Sequence, residues 1–364
     1  MNLPTHTPIR VLIVDDSALI RTILAEMLNG LPDIEVAGEA KNGQEAVRMT
    51  LRLQPHVITM DIRMPVLDGL EATRHIMSVK PTPIVVIASS TQSAEINPAF
   101  NAIQAGALMV IEKPRGLETQ DYETVRKQLI AAVRSMASVQ VVPHYATAVH
   151  VKGVGPRTAM LHSFIDRPIQ AVVIGASTGG PPTLQQIFSN LPDDFSIPIV
   201  VVQHIMPAFL PGLLEWLRVT SKLPMRIAQD HERILPGTIL FAPGDAHLLL
   251  SPGSVVRLDT CAPIQGQRPS ATRLFQSAAA TFGGDAVGVI LTGMGEDGVD
   301  GLVQMGEKGA HIIAQDQASS VVFGMPRAAI ARGVVDEVLA PDQIALRLKK
   351  LHWHTQALLN RAKR

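Results

Sequence analysis

Cysteine, aromatic residues and any excess of one charge are scarce in this 364-residue chain, and each scarcity removes a class of protein. The lone Cys261 has no partner for an intrachain disulfide, so the fold is not a disulfide scaffold and nothing ties it to an oxidising compartment. No charged residue flanks Cys261 to favour a thiolate, so it reads as a small packed or loop residue. Lys plus Arg equals Asp plus Glu at 32 each, which leaves no global field to draw the chain to nucleic acid or to an anionic membrane. No apolar run exceeds strand length, and "VLIV" stops at Asp15-Asp16, so we expect no signal peptide, no membrane insertion and a cytoplasmic protein. Aromatics make up only 4% against 46% hydrophobic residues, mostly aliphatic, as parallel sheets covered by helices require.

What is present is alternation. In the first half, short aliphatic runs ("RVLIVDD", "IEVAGEA", "HVITMD", "PIVVIASS", "LMVIEKP") each precede a helical pattern, giving five strand-helix pairs over residues 9–138. Helix ends fall at Asn29-Gly30, Pro55 and Pro81. Such alternation predicts right-handed βαβ units and an open, flavodoxin-like parallel sheet of order 2-1-3-4-5. Periodicity fails over 139–168, read as a linker. It restarts over 169–360 as a second, doubly wound, Rossmann-like α/β domain. Within that domain, "GTILFAPGDAHLLLSPGSVVRLD" is expected to form a β-hairpin insertion whose Pro-Gly pairs mark turns.

Two polar constellations stand at predicted strand ends. Asp15 and Asp16 follow the first strand, Asp61 ends the third and Lys113 follows the fifth, so the sheet order gathers them at its carboxyl edge. Clustered carboxylates repel unless a cation compensates, and hard oxygen donors suit Mg²⁺. Asp61 would then attack an incoming phosphoryl group and Lys113 would hold its oxygens. Taken singly, each acid is equally a helix cap and Lys-Pro a turn.

In the second half, Ser177 ("GASTGG"), His204 ("VVVQHIMP") and Asp297 ("TGMGEDG") each follow an aliphatic strand. A hydroxyl needs a base, and the base needs a carboxylate to fix its tautomer, so the three form a candidate Ser-His-Asp triad. The alternatives remain a helix-capping Ser177, a half-buried strand-end His204 and an Asp297 that caps the following helix.

The residues around the first constellation, Asp15-Asp16, Asp61 with "MP" and "DG" following, and Lys113-Pro114, resemble the receiver domain of bacterial response regulators. That resemblance implies Asp61 as phospho-acceptor, Asp16 and Asp61 with the Arg63 backbone carbonyl as Mg²⁺ ligands, Asp15 in support and Lys113 and Ser89 at the phosphoryl group. The motifs "GASTGG", "QH" with "MP", "RPS", "TGMGEDG" and "AQDQASSVVFGMPRAAI" resemble the catalytic domain of chemotaxis protein-glutamate methylesterases, and the receiver-linker-catalytic order matches the whole chain. This second resemblance implies Ser177 as nucleophile, His204 as base and Asp297 as its orienting carboxylate, with Thr178 and Met294 at the oxyanion site and site wall. It also implies hydrolysis of glutamyl methyl esters, and deamidation of certain glutamines, on methyl-accepting chemoreceptors under control of a histidine kinase. A different class of function stays open as an alternative: a non-enzymatic, phosphorylation-controlled binding module whose second domain holds a nucleotide or phosphate at the Ser177 turn. Neutral charge and the lack of a helix-turn-helix pattern argue against a DNA-binding output. The tail "LKKLHWHTQALLNRAKR" reads as a solvated amphipathic helix, and "HWH" has the wrong spacing for two metal ligands on one helical face.

Overall fold

Residues 7–89, 93–114, 122–137, 139 and 167–362 are described by the computed structural model of the chain. They fall in two compact units, Met1–Val149 and His150–Arg364. The expected linker at 139–168 lies almost wholly outside the described residues.

In the first unit β1 (Ile9–Val14), α1 (Ala18–Leu28), β2 (Ile34–Ala40), α2 (Gly43–Leu53), β3 (Val57–Asp61), α3 (Gly69–Val79), β4 (Ile84–Ala88), α4 (Ser93–Gln104), β5 (Met109–Glu112) and α5 (Tyr122–Met136) alternate. All strand pairs are parallel, in the order β2-β1-β3-β4-β5. The helices begin where short polar side chains satisfy free amides: Ser17, Asn42 and Asp68 accept from Ile20, Glu45 and Glu71. Strands β3 and β4 are buried at every position, which is the consequence of helices covering both faces.

The second unit contains β6 (Ala171–Ala176), α6 (Gly180–Ser189), β7 (Ile199–Gln203), α7 (Leu210–Arg218), β8 (Met225–Ile227), β9 (Ile239–Phe241), β10 (His247–Ser251), β11 (Val255–Asp259), α8 (Ala271–Phe282), β12 (Ala286–Ile290), α9 (Val299–Glu307), β13 (His311–Gln315), α10 (Met325–Ala331), β14 (Glu337–Leu339) and α11 (Pro341–Ala362). Seven strands form a parallel sheet of order β14-β13-β12-β6-β7-β9-β8, and β10 and β11 pair as the expected antiparallel hairpin. One element departs from expectation: "ILF" is not part of the hairpin but a strand of the main sheet, seated between β7 and β8. The chain runs outward from β6 to β7 and later returns to the other side of β6 through β12. That reversal makes a topological switch point, the place where open α/β sheets leave a crevice beyond their carboxyl ends.

Helix α11 is also more than a solvated terminus. Ile344, Ala345, Leu348, Leu351, His352 and Thr355 recur at helical spacing, are all buried, and the helix packs on α6. Burial of each large aliphatic side chain there is worth about 1.5–3 kcal/mol. His352 points inward, where its Nδ1 accepts from the Ser196 amide at 3.2 Å, while Trp353 on the opposite face is 55% exposed.

Candidate active site

At the carboxyl edge of the first sheet, Asp15 follows β1, Asp61 closes β3 and Lys113 follows β5. Lys113 Nζ lies 2.8 Å from Asp15 Oδ2 and 3.0 Å from Asp61 Oδ2. One ligand oxygen from each of Asp15, Asp16 and Asp61 falls within 4.8 Å of the others, with Asp16 exposed and the other two buried. Burial first, and the Asp15 charge second, push the Asp61 carboxyl up to about 7 against the pull of Lys113. Burial likewise raises Asp15. Three carboxylates facing one ammonium lack positive charge, and the donor set is all oxygen, so the residues fit a hard divalent cation.

The "DG" of the motif has a steric origin, because a Cβ on Gly69 would run into the Asp61 carbonyl oxygen. Ser89 is the first residue past β4, and the preceding Ala88, fully buried, accepts from the Lys113 amide through its carbonyl at 2.8 Å. Arg63 lies in the loop between β3 and α3.

At the carboxyl edge of the second sheet the three polar residues follow three adjacent strands: Asp297 after β12, Ser177 after β6 and His204 after β7. Ala176 is in register with Gln203, so Ser177 and His204 are the next residues beyond two adjacent strands, and the His204 amide donates to the Ala176 carbonyl at 2.9 Å. His204 Nε2 meets Asp297 Oδ2 at 2.9 Å, with both side chains under a tenth exposed. A carboxylate only accepts, so in the neutral imidazole Nε2 carries the hydrogen and Nδ1 the free lone pair. That Nδ1 is buried and has no hydrogen-bond partner among the described residues.

Asp297 does not cap the helix after it, whose N-cap is Gly298. Instead it reaches the start of α8, where Oδ1 accepts from Ser270 Oγ at 2.6 Å and the Thr272 amide at 3.1 Å, and Oδ2 from the Ala271 amide at 2.7 Å. Burial opposes its charge, but His204, Ser270 and these helix amides win and hold the carboxyl at about 2. Thr272 also accepts from the Gly298 amide at 2.7 Å, which fixes the loop that carries Asp297.

Nor does Ser177 cap α6, because the N-cap is Gly179 without a side-chain bond. Ser177 to Gly180 form a tight turn in which the Gly180 amide donates to the Ser177 carbonyl at 2.8 Å, and Gly179 takes φ +78 and ψ −1. A positive φ at the third position of a turn is the type II signature and favours glycine. Three side chains that the sequence did not single out hold this turn in place. Gln203 Nε2 donates to the Ser177 carbonyl, Thr292 Oγ1 donates to the Thr178 carbonyl at 2.9 Å, and Gln315 Oε1 accepts from the Thr292 amide at 2.8 Å. Their only sequence signals are the motif words "QH", "TG" and "AQD". Thr178 is buried within the turn, and Met294 stands 48% exposed in the loop between β12 and α9.

Comparison with known proteins follows the same division. The CheB methylesterase family model matches residues 172–348, and the response regulator receiver domain model matches residues 11–120. The chain is similar to the protein-glutamate methylesterase/protein-glutamine glutaminase 4 of Myxococcus xanthus, with 40% identity over 94% of this chain and 97% of the relative. It is also similar to the protein-glutamate methylesterase/protein-glutamine glutaminase of Nitrosospira multiformis, with 42% identity over 94% of this chain and 97% of the relative. Among solved structures, the Thermotoga maritima CheB methylesterase catalytic domain matches at 41% identity over 50% of this chain and 98% of that one, with a TM-score of 0.49.

Proposed function

The chain belongs to the CheB methylesterase family, with a response-regulator receiver domain at its N-terminal end, and on that premise we propose which of its residues do the chemistry. The reaction is hydrolysis of glutamyl methyl esters, and deamidation of glutamines, on methyl-accepting chemoreceptors. The relatives are named as enzymes, which sets aside a non-catalytic binding module.

Ser177 Oγ attacks the ester carbonyl carbon as its proton passes to His204 Nδ1, the nitrogen that the Asp297 contact leaves free. The tetrahedral oxyanion collapses, the carbon–oxygen bond to methanol breaks, and the imidazolium returns the proton to the leaving methoxide. A water, deprotonated in turn by His204, then attacks the glutamyl-Ser177 ester, and its cleavage releases glutamate and restores the hydroxyl. With a glutamine substrate the same sequence expels ammonia. Asp297 stays ionised throughout and steadies the imidazolium. The Thr178 amide, in the turn that follows the nucleophile, donates to the oxyanion, and Met294 forms the exposed wall. The observation that carries this reading is the buried His204–Asp297 pair, which leaves Nδ1 unpartnered among the described residues on a residue whose amide donates to the Ala176 carbonyl next to Ser177.

Control comes from the first domain. A histidine kinase phosphorylates Asp61, and the resulting charge raises the esterase rate. Asp16, Asp61 and the Arg63 carbonyl would hold Mg²⁺, with Asp15 in support, while Lys113 and Ser89 would bind the phosphoryl oxygens. The bound ion supplies charge neutralisation for phosphoryl transfer. No described helix is long and apolar enough to cross a membrane. The enzyme acts from the cytoplasm on the receptors' methylated segments.

Methanol release from methylated receptor, with and without a small phosphodonor and Mg²⁺, tests the proposal. Ser177→Ala is expected to abolish turnover, and Asp61→Asn to abolish its stimulation. Turnover retained by the alanine variant refutes the triad, and stimulation retained by the asparagine variant refutes the regulatory site.

A further inference from the structure

We propose that Gln203 is a positioning residue for the esterase: its side-chain amide straps the nucleophile's turn to the base and thereby aims the Thr178 N–H at the oxyanion. The proposal rests on the Ser177–His204–Asp297 reading and extends it to a residue outside the triad.

Gln203 is the last residue of β7 and is 4% exposed. Both hydrogens of its amide are used, one on the Ser177 carbonyl at 2.9 Å and one on the His204 carbonyl at 3.0 Å. One buried group thus bridges the main chains that carry the nucleophile and the base. The opposite end of the amide, Oε1, is buried without a hydrogen-bond partner among the described residues. Among the described residues, every hydrogen bond of this side chain is therefore made by its donor end. Gly180 clears the space: a Cβ there would run into Oε1.

Peptide planarity links the strap to catalysis. In a trans peptide the N–H points opposite to the preceding carbonyl, so fixing the Ser177 carbonyl fixes the direction of the Thr178 N–H. The Ser177 carbonyl is held twice, by the Gly180 amide and by Gln203. The Thr178 carbonyl is held by Thr292, two residues past β12, so the type II turn is pinned from both sides. The Thr178 N–H itself donates to no described group, as an oxyanion donor must. Losing one oxyanion donor costs about 10²–10³ in kcat, and misaiming one costs part of that.

The test measures kcat and KM for methanol release by the full chain over pH 6 to 9, together with thermal unfolding, for native protein, Gln203→Met, Gln203→Glu, Gly180→Ala and Ser177→Ala. Gln203→Met, close in volume but without a donor, is expected to lower kcat about 10- to 100-fold with KM within about twofold. Gly180→Ala, which displaces the same amide from the opposite side, is expected to lower kcat likewise, and combining the two should cost little more than either alone. Gln203→Glu can donate only when protonated, so its rate relative to native should rise as pH falls. A Gln203→Met rate within about threefold of native, or a loss confined to KM, overturns the strap. If Gln203→Met does not fold, a native-like rate in Gly180→Ala overturns it instead. Ser177→Ala separates the two ideas: turnover in that variant refutes the triad, whereas an inactive Ser177→Ala beside an unimpaired Gln203→Met refutes only the strap.

Discussion

Removing the Ser270 hydroxyl probes the electrostatic support of the candidate triad at a residue outside the three. In Ser270→Ala, Asp297 Oδ1 loses its shortest contact, 2.6 Å, and keeps only the Thr272 amide at 3.1 Å. A hydrogen bond to a charged group is worth about 1.5–3 kcal/mol. All the groups around Asp297 together bring its carboxyl from 3.8 to about 2, a net of about 2.5 kcal/mol at neutral pH. One hydroxyl therefore accounts for much of that net, and its loss should raise the Asp297 pKa by about one to two units. The native carboxyl titrates below its unfolded value, so this stabilisation is complete above about pH 4 and disappears as pH falls toward 2. The variant should accordingly unfold about 1.5–3 kcal/mol more easily at pH 7, with the gap to native narrowing on acidification below about pH 4. Both tryptophans, Trp216 and Trp353, belong to the second unit, so denaturant titrations followed by their fluorescence report on that unit. If about 1.4 kcal/mol of the loss is felt in the transition state, kcat falls about tenfold. An equal stability at pH 7, or a deficit that does not change down to pH 3, would refute the assignment of Ser270 as the carboxylate's anchor.

Further outcomes follow from other parts of the molecule. Chelation of divalent ions should abolish the stimulation of methanol release by a phosphodonor and leave the unstimulated rate intact, because among the described residues the acidic group that could hold a cation is that of the first unit. Buried His311, at the opposite end of the second sheet, is opposed by desolvation but raised above 6.5 by Asp336 and Glu337. It therefore stabilises the fold fully below about pH 6.5, and that contribution is lost as pH rises through its elevated value, so His311→Gln should flatten the alkaline slope of unfolding free energy. Gly293→Ala should depress kcat more than stability-neutral surface changes do, since its Cβ would stand 2.7 Å from Ser177 Cβ and also run into Met325 Sδ; a native rate in that variant would show that the turn tolerates displacement.

Much of the architecture was legible because it is written in local pattern. Continuous aliphatic runs such as Val57–Asp61 and Ala171–Ala176 are what two-sided burial requires, and the helix starts carry their own caps at Ser17, Asn42 and Asp68. Strands β8 and β14 were not, because three residues at a sheet edge leave no period to read. β9 was misplaced into the hairpin because Pro-Gly pairs flank it, and only its pairing with β7 and β8 reveals its role. The same division holds at the site. Ser177, His204 and Asp297 could be picked out because each is polar directly beyond an aliphatic strand. Ser270 and Thr272 could not, since their value comes from a carboxylate some 25 positions away in sequence. Gln203 sits inside a strand run, where a polar residue has no local signature of what its amide will bridge.

The central claim, that the Ser177 hydroxyl is made nucleophilic by an imidazole held through Nε2, is tested most directly by covalent trapping. The full chain would be treated with a serine-directed phosphonylating reagent and its peptides weighed. We expect a single stoichiometric adduct on the peptide that contains Ser177, with the adduct abolished in His204→Ala. An adduct elsewhere, or labelling of Ser177 that proceeds at the native rate without the imidazole, would contradict the account.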